Sequence, residues 1–257
     1  MAAIIRKDIR DLLIAKHDQY NHPEFILNDP IQVPHSFVMK EDIEISSFMT
    51  ATIAWGNRLS IIKNASDLMD RMDRAPFDFI RLAGSGEMDR LAGFVHRTFN
   101  SSDLYCFISC LQQVYLNHGG LEKVFTEGYA SGGIYGALVN FRKIFVLSGL
   151  SGRSAKHVSD VEKGSAAKRL NLFLMWMVRK DTRGVHFGLW NGISVADLMI
   201  PLDTHVGRVA RSLGLLKRNS NDWQAVEELT SALRNLDPND PCKFDFSLFG
   251  LGIFDHF

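Results

Sequence analysis

Cysteine and proline are scarce in this sequence, and it has no long apolar runs. Of its 257 residues, only three are cysteine and seven are proline. So few cysteines exclude a disulfide-rich scaffold. No stretch is proline-rich or low in complexity, as a disordered region would be. Because no run of 18 apolar residues occurs, we expect no membrane span.

The cysteines and histidines also lack the spacing of common metal sites. Cys106 and Cys110 lie four apart in the apolar stretch CFISCLQQVYL, which favours buried free thiols over a metal site. No cysteine cluster follows Cys242, so an iron–sulfur cluster has too few ligands. The nine histidines form no H-x-x-x-H pair. We therefore expect neither a metal nor another cofactor.

The beginning of the chain also lacks the pattern of a targeting segment. In MAAIIRKDIRDLL, charged and apolar residues mix at helical spacing. Because the uninterrupted apolar core of a signal peptide is missing, we expect a cytoplasmic protein. With 46% hydrophobic residues, the chain can bury a core as one large domain or as two lobes.

The charges balance overall but are unevenly distributed. Residues 151–218 carry 12 Lys and Arg against 5 Asp and Glu, whereas residues 219–257 carry 2 against 7. A basic segment in a neutral protein is typical of polyanion binding. The alternative is a solvated helical face whose charges pair with the acidic end of the chain.

Apolar residues recur at helical spacing along most of the chain, and no alternation with period two is long enough for a sheet. The pattern predicts helices over 165–179 and from Asp203 to Leu216, with Asp203 as an N-cap. Prolines at positions 23, 30 and 34 predict an extended connector over 29–38. We therefore predict an all-α fold of ten or eleven helices.

Two segments carry the most specific signals for function. The first is KGSAAKRLNL, residues 163–172, and the second is LDTHVGRV, residues 202–209. Together they resemble the endonuclease III superfamily of DNA base-excision glycosylases, the helix-hairpin-helix–GPD proteins. Gly164, Lys168 and Asn171 match positions of the family's hairpin motif. Asp203, Thr204, His205 and Arg208 match its V-D-T-H-x-x-R motif.

The sequence departs from that pattern at two points. Ala166 stands where the motif has its second glycine. Lys168 and Asp203 lie 35 positions apart, nearly twice the spacing in endonuclease III. The archaeal 8-oxoguanine glycosylases carry a similar insertion, and the chain is most similar to that branch and to uncharacterised bacterial relatives.

The resemblance implies a two-lobed helical fold with a helix-hairpin-helix-like element and a central cleft. We expect one lobe over 45–180, and a second formed by 1–44 and 181–257 that carries Asp203. The implied function is a bifunctional glycosylase and AP lyase that acts as a monomer on double-stranded DNA containing an oxidised purine. The alternatives are a non-catalytic DNA-binding or scaffold protein, and a purely hydrolytic glycosylase.

The implied chemistry needs an amine and a carboxylate in one cleft. Lys168 is the expected nucleophile, attacking the sugar C1′ to give a Schiff base. It must be neutral to attack, and Arg169 with the apolar residues that follow offers a suitable setting. Asp203 is expected to stabilise positive charge on the sugar and to assist proton transfer.

Further residues are expected to bind DNA or the extruded base. Asp245 and Phe249, four apart on a C-terminal helix, are candidates for the base pocket, and the alternative for Phe249 is a core position. Asn57 is a candidate to fill the gap left by the base, and otherwise an N-cap. The expected DNA contacts are Asn57, Arg58, Gly164, Arg208 and Arg211.

Overall fold

The computed structural model describes residues 7–82, 84–255 and 257. Helices make up 65% of the structure and strands 2%, so the predicted all-α class is confirmed. The α-helices of the described residues are α1 (Lys7–Tyr20), α2 (Lys40–Thr52), α3 (Arg58–Arg71), α4 (Pro76–Leu82), α5 (Ser85–Asp89), α6 (Ser101–Asn117), α7 (Leu121–Leu147), α8 (Lys168–Val178), α9 (Thr204–Ser212), α10 (Trp223–Arg234) and α11 (Asp245–Ile253). None of them is both long enough and apolar enough to cross a membrane.

Several short elements lie between these helices. Two strands, β1 (Val95–His96) and β2 (Phe99–Asn100), pair antiparallel with Val95 opposite Asn100. Six 3-10 helices complete the described part of the chain: Pro23–Asn28, Pro30–Gln32, Pro34–Ser36, Gly152–His157, Val195–Asp197 and Pro241–Phe244. The connector predicted as extended over 29–38 thus contains two 3-10 turns, because a proline at the first helical position has a suitable φ and needs no N–H partner.

The chain divides into two compact units. One is Asn28–Ser159, and the other combines residues 7–27 with Asp160–Phe257. These bounds differ from the predicted lobes, 45–180 and 1–44 with 181–257. The segment that carries α8 joins the second unit because its backbone pairs there: Trp223 N donates to Gly164 O (3.0 Å), and Phe187 N donates to Trp176 O (3.0 Å).

The unit formed by Asn28–Ser159 has an aromatic core. Phe48 of α2 packs against Phe107 of α6 and against Phe141 and Phe145 of α7, with ring centroids 5.4–6.2 Å from that of Phe48. These rings bury large apolar areas, which stabilise the packing of the three helices. Cys110 of α6 lies in this interior as a free thiol, and burial raises its pKa to about 12.

Helix α7 folds into a hairpin at two adjacent glycines. Gly132 and Gly133 have non-helical backbone angles, and Gly133 has a φ of +61°, which favours glycine. The two arms approach closely at Gly128 and Gly136: a Cβ on Gly128 would lie 2.6 Å from the Gly136 carbonyl oxygen. Glycine at both positions therefore permits the arms to pack.

In the other unit, α11 packs against α1 and α9 through two glycines. A Cβ on Gly250 would lie 2.2 Å from the ring of Tyr20 in α1. A Cβ on Gly252 would lie 3.3 Å from the side chains of His205 and Val209 in α9. Ser247 Oγ donates to Leu13 O (2.6 Å), which fixes the register of α11 on α1.

Candidate active site at the starts of helices α8 and α9

Helix α8 begins at Lys168, after a turn with two left-handed residues. Gly164 has a φ of +83°, and its N–H donates to Val161 O (2.9 Å). Ala167, directly before the helix, has a φ of +47°, which is unfavourable for a residue with a Cβ. Strain of this kind clusters at functional sites. Ala166 has no positive φ, so the backbone does not require the second glycine that the motif predicts there.

The amine of Lys168 lies at the first position of α8. The residue is half-buried, and no hydrogen bond or ion pair engages the amine in the part of the chain that the structure describes. The neighbouring Arg169 is half-buried, and desolvation lowers the pKa of its guanidinium to about 10. The start of the helix therefore carries an amine without a hydrogen-bond partner among the described residues, next to a partly desolvated cation.

Asn171, in the first turn of α8, bonds back to the turn formed by residues 164–167. It is buried, and its Nδ2 donates to Ala166 O at 3.2 Å. The backbone N–H of Asn171 donates to Ala167 O at 2.9 Å. These two bonds hold the strained residues against the first turn of α8, which explains how Ala167 keeps its left-handed conformation.

Helix α9 begins after Asp203, which is its N-cap as predicted. One carboxylate oxygen, Oδ1, accepts hydrogen bonds from the N–H groups of His205 and Val206, both at 2.9 Å. Within the described residues, no hydrogen bond engages the other oxygen, Oδ2. The cap thus fixes the carboxylate through one oxygen and leaves the second available to a ligand.

Residues 221–223, where the loop before α10 enters that helix, contact the segments that precede α8 and α9. Asn221 Nδ2 donates to the backbone oxygen of Asp203 at 3.1 Å. Two residues later, Trp223 N donates to Gly164 O at 3.0 Å, and Asp222 forms an isolated antiparallel bridge with Ser165. The structure therefore brings the Lys168 and Asp203 segments into contact with the same three residues.

The long insertion between the two segments folds back on α8. Phe187 N donates to Trp176 O and Trp190 N donates to Met177 O, both at 3.0 Å. Phe173 of α8 packs edge-on against the Trp190 ring, with centroids 5.2 Å apart. The inserted residues thus cover the C-terminal half of α8. They do not cover its first residue, Lys168, through any of these contacts.

The two arginines of α9 donate to the protein's own carbonyl groups. Arg208 Nη2 donates to Gly252 O at 3.3 Å, and Nη1 donates to Phe257 O. Arg211 donates to Arg218 O (2.8 Å) and to Asn221 Oδ1 (2.6 Å). Both side chains therefore stabilise this unit, and phosphate contact by them stays a prediction.

Asp245 and Phe249 both lie on α11, as predicted. Asp245 is its first residue. The Phe249 ring meets Phe25 and Phe254 edge-on, with centroids 6.4 Å apart in each case. These contacts place Phe249 in an aromatic cluster, in agreement with the alternative of a core position, although the residue keeps partial exposure.

Asn57 and Arg58 belong to the other compact unit. Asn57 is the N-cap of α3, and its Oδ1 accepts from Ser60 N at 3.1 Å. Arg58 Nη1 donates to Asn28 O at 3.4 Å. Gly56 before them has a φ of +98°, and a Cβ there would lie 2.5 Å from the Arg97 guanidinium. The N-cap alternative for Asn57 is thus observed, and a role in DNA binding stays a prediction for both residues.

Comparison with known proteins identifies the family of the chain. The model of a family described as "Protein of unknown function (DUF2400)" matches residues 29–254. The chain belongs to the DUF2400 family. No curated protein and no solved structure matches this DUF2400 chain. The family match spans both the Lys168 and the Asp203 segments.

Two residues of this DUF2400 site were not predicted from the sequence. Asn221 lies in a polar loop without periodicity, and Gly207 occupies a variable position of the second motif. A Cβ on Gly207 would lie 2.8 Å from both Asn221 Oδ1 and Arg211 Nη1. Only the folded structure reveals this contact, since 14 positions separate Gly207 from Asn221 in the sequence.

Proposed function

We propose that this protein is a DNA base-excision glycosylase with AP lyase activity, in which Lys168 is the nucleophile and Asp203 the essential carboxylate. The observation that carries the proposal is the arrangement of the two helix starts. Residues 221–223 contact the backbone of both segments: Asn221 Nδ2 donates to the Asp203 backbone oxygen, and Trp223 N donates to the backbone oxygen of Gly164, four residues before Lys168. The resemblance of both segments to the endonuclease III superfamily supplies the reaction.

Lys168 acts on the sugar in two stages. Its nitrogen forms a bond to C1′ while the glycosidic C1′–N bond breaks, and the base leaves with the bonding electron pair and takes up a proton. The nitrogen then loses one proton, and the C1′–O4′ bond opens with its electron pair going to O4′, which takes up a proton. A protonated imine now joins the nitrogen to C1′. Loss of a C2′ proton expels the 3′ phosphate, and water releases Lys168 from the imine.

Asp203 assists the first of these stages. As the glycosidic bond breaks, positive charge develops on the sugar, and a carboxylate beside it stabilises that charge. The free Oδ2 is the atom suited to this role, because Oδ1 already accepts two backbone N–H groups. The same oxygen can accept a proton from the attacking amine, which is general base catalysis.

The proposed substrate is duplex DNA with an oxidised purine extruded from the stack. Three exposed lysines of the basic segment 151–218, Lys156, Lys180 and Lys217, are candidates to bind phosphate. Arg179 and Arg218 of the same segment instead pair with Asp240 and Asp222. The partly exposed face of Phe249 and the carboxylate of Asp245 remain candidates to stack on and bind the base. The proposed enzyme has two lobes and a hairpin that grips the DNA backbone around Gly164.

A purely hydrolytic glycosylase is the second candidate, and one observation favours it. Ala167, the N-cap of α8, has no side chain able to bond the first N–H groups of the helix. Such a helix start, with the Lys168 amine beside it, suits a phosphate oxygen. In that enzyme Lys168 would bind the backbone and water would attack C1′.

Borohydride trapping distinguishes the two candidates from each other and from a non-catalytic DNA-binding protein. The protein is incubated with a duplex containing 8-oxoguanine, and a Schiff base is reduced to a stable covalent complex. We expect wild type to trap and Lys168→Gln to lose trapping and strand cleavage while still binding the duplex. The matched control is Lys163→Gln, an exposed lysine of the same turn, which should still trap.

Base release without trapping would favour the hydrolytic enzyme, and binding without either reaction would favour the non-catalytic protein. Trapping by Lys168→Gln at the wild-type level would exclude Lys168 as the nucleophile.

A further inference from the structure

Asn221 uses both ends of its side-chain amide. Nδ2 donates to the backbone oxygen of Asp203 (3.1 Å), and Oδ1 accepts from Arg211 Nη2 (2.6 Å). One amide therefore connects the N-cap of α9 with the third turn of the same helix. Because the donor and the acceptor are both used, the orientation of the amide is determined by its partners.

The loop that carries Asn221 is held by further polar contacts. Arg211 Nε donates to Arg218 O at 2.8 Å. The Glu228 carboxylate accepts from Lys217 N at 2.7 Å, and Arg218 pairs with Asp222 at 2.5 Å. These contacts join the loop to both α9 and α10, so Asn221 extends from a fixed backbone.

Gly207 makes room for the amide on the surface of α9. A Cβ at this position would lie 2.8 Å from Asn221 Oδ1 and 3.1 Å from its Nδ2. With any larger residue at this position, the Asn221 amide or the Arg211 guanidinium that holds it, also 2.8 Å away, would have to move. The helix itself does not need glycine here, since its φ is not in the left-handed region.

The two residues that follow Asn221 contact Gly164 and Ser165, in the turn before the proposed nucleophile Lys168. The backbone bond from Trp223 N to Gly164 O (3.0 Å) and the Ser165–Asp222 bridge use no side chain. We therefore expect variants of Asn221 to keep this pairing. The loop attaches to the Lys168 segment through backbone and to the Asp203 segment through the Asn221 amide.

We infer that Asn221 is a positioning residue that fixes Asp203 relative to Lys168, acting through the hydrogen bond from its amide to the Asp203 carbonyl. This inference rests on the proposed function. Asn221 supports base release, the step that needs the Asp203 carboxylate, and does not support imine formation by Lys168. Small displacements of a catalytic group reduce rates strongly, so we expect a loss of about tenfold to a hundredfold in base release.

The variants test the donor and the acceptor of the Asn221 amide separately. Asn221→Asp keeps the acceptor for Arg211 but lacks the N–H for Asp203, whereas Asn221→Ala removes both. Gly207→Ala crowds the Asn221 amide and the Arg211 guanidinium, each 2.8 Å from the added Cβ, and leaves the loop residues themselves unchanged. The matched control is Asn219→Ala, an exposed asparagine of the same loop with no side-chain partner within the described residues.

Three measurements are made on each variant of the full chain. The first is the single-turnover rate of base release from an 8-oxoguanine duplex. The second is borohydride trapping on a duplex with a preformed abasic site, which needs Lys168 but no base release. The third is amide hydrogen exchange over residues 203–207, which reports on the N-cap of α9 independently of activity.

We expect Asn221→Asp, Asn221→Ala and Gly207→Ala to lose base release, to keep abasic trapping and duplex affinity, and to exchange faster over 203–207 than Asn219→Ala. Wild-type base release and exchange in Asn221→Asp would overturn the inference while the proposed function stands. Equal losses of base release and abasic trapping would also overturn it. If wild type shows neither base release nor abasic trapping, the proposed function fails. The link between Asn221 and Asp203 is then tested by amide hydrogen exchange alone, and exchange over 203–207 that is unchanged in Asn221→Asp would refute it.

Discussion

Replacing Asp203 with asparagine separates the two roles of this residue. In the structure Oδ1 accepts two N–H groups at 2.9 Å, and an asparagine Oδ1 can accept the same pair. Asparagine and aspartate are about equally good N-caps. The variant therefore loses only the attraction between a negative charge and the helix dipole, about 0.3–1 kcal/mol.

The stability change is measured by scanning calorimetry or urea denaturation. For a chain of this size, a loss of about 0.3–1 kcal/mol corresponds to a melting temperature lower by roughly 1–4 °C. Asp203→Ala removes the cap as well, which costs about 1 kcal/mol more. We therefore expect the stability order wild type, Asp203→Asn, Asp203→Ala.

The rate of base release should follow a different order. Both variants lack the carboxylate, so both should lose roughly a hundredfold or more in single-turnover base release. Ser212→Ala, an exposed residue at the opposite end of α9, is the control and should match wild type in both assays. Full activity in Asp203→Asn would refute the catalytic role of the charge, and a stability loss equal to that of Asp203→Ala would refute the analysis of the cap.

Three further predictions concern backbone strain, acid stability and DNA binding. Ala167→Gly should leave the free energy of unfolding within about 1 kcal/mol of wild type, because relief of the left-handed φ of +47° offsets the loss of a buried methyl group, and a urea midpoint far below wild type would contradict this. Burial opposes ionisation of Asp181, but hydrogen bonds from Asn21 and Arg183 and the charge of Arg179 lower its pKa from 3.8 to about 2. Stability from this carboxylate should be present above pH 4 and lost as the pH falls from about 4 to 2, and a urea midpoint that stays constant over this range would contradict it. Duplex affinity should fall as salt rises, since residues 151–218 carry 12 positive against 5 negative side chains, and salt-independent binding would count against a phosphate interface.

Helical periodicity and capping residues made much of the fold predictable. The all-α class and the cap at Asp203 follow from patterns within a few residues of each other. The predicted helix over 165–179 begins three residues later, at Lys168, because Gly164 and Ala167 adopt left-handed backbone that ends the preceding turn. The short hairpin at Val95–Asn100 has too few residues for a period-two pattern.

The arrangement of the site was only partly predictable. The two motifs predict Lys168 and Asp203 as site residues, but no local pattern indicates that residues 221–223 contact both segments. The internal bonds of Arg208 and Arg211 were also missed, because a sequence shows that an arginine is present but not which carbonyl groups surround it. Long-range contacts of this kind depend on the packing of α9, α10 and α11.

The most direct test of the account is to locate the covalent bond itself. Wild-type protein is trapped with borohydride on an abasic duplex, digested with protease and nuclease, and analysed by tandem mass spectrometry. The account predicts a reduced sugar remnant on the nitrogen of Lys168 and on no other lysine. A remnant on a different amine, or no covalent adduct under conditions where the protein binds the duplex, would contradict it.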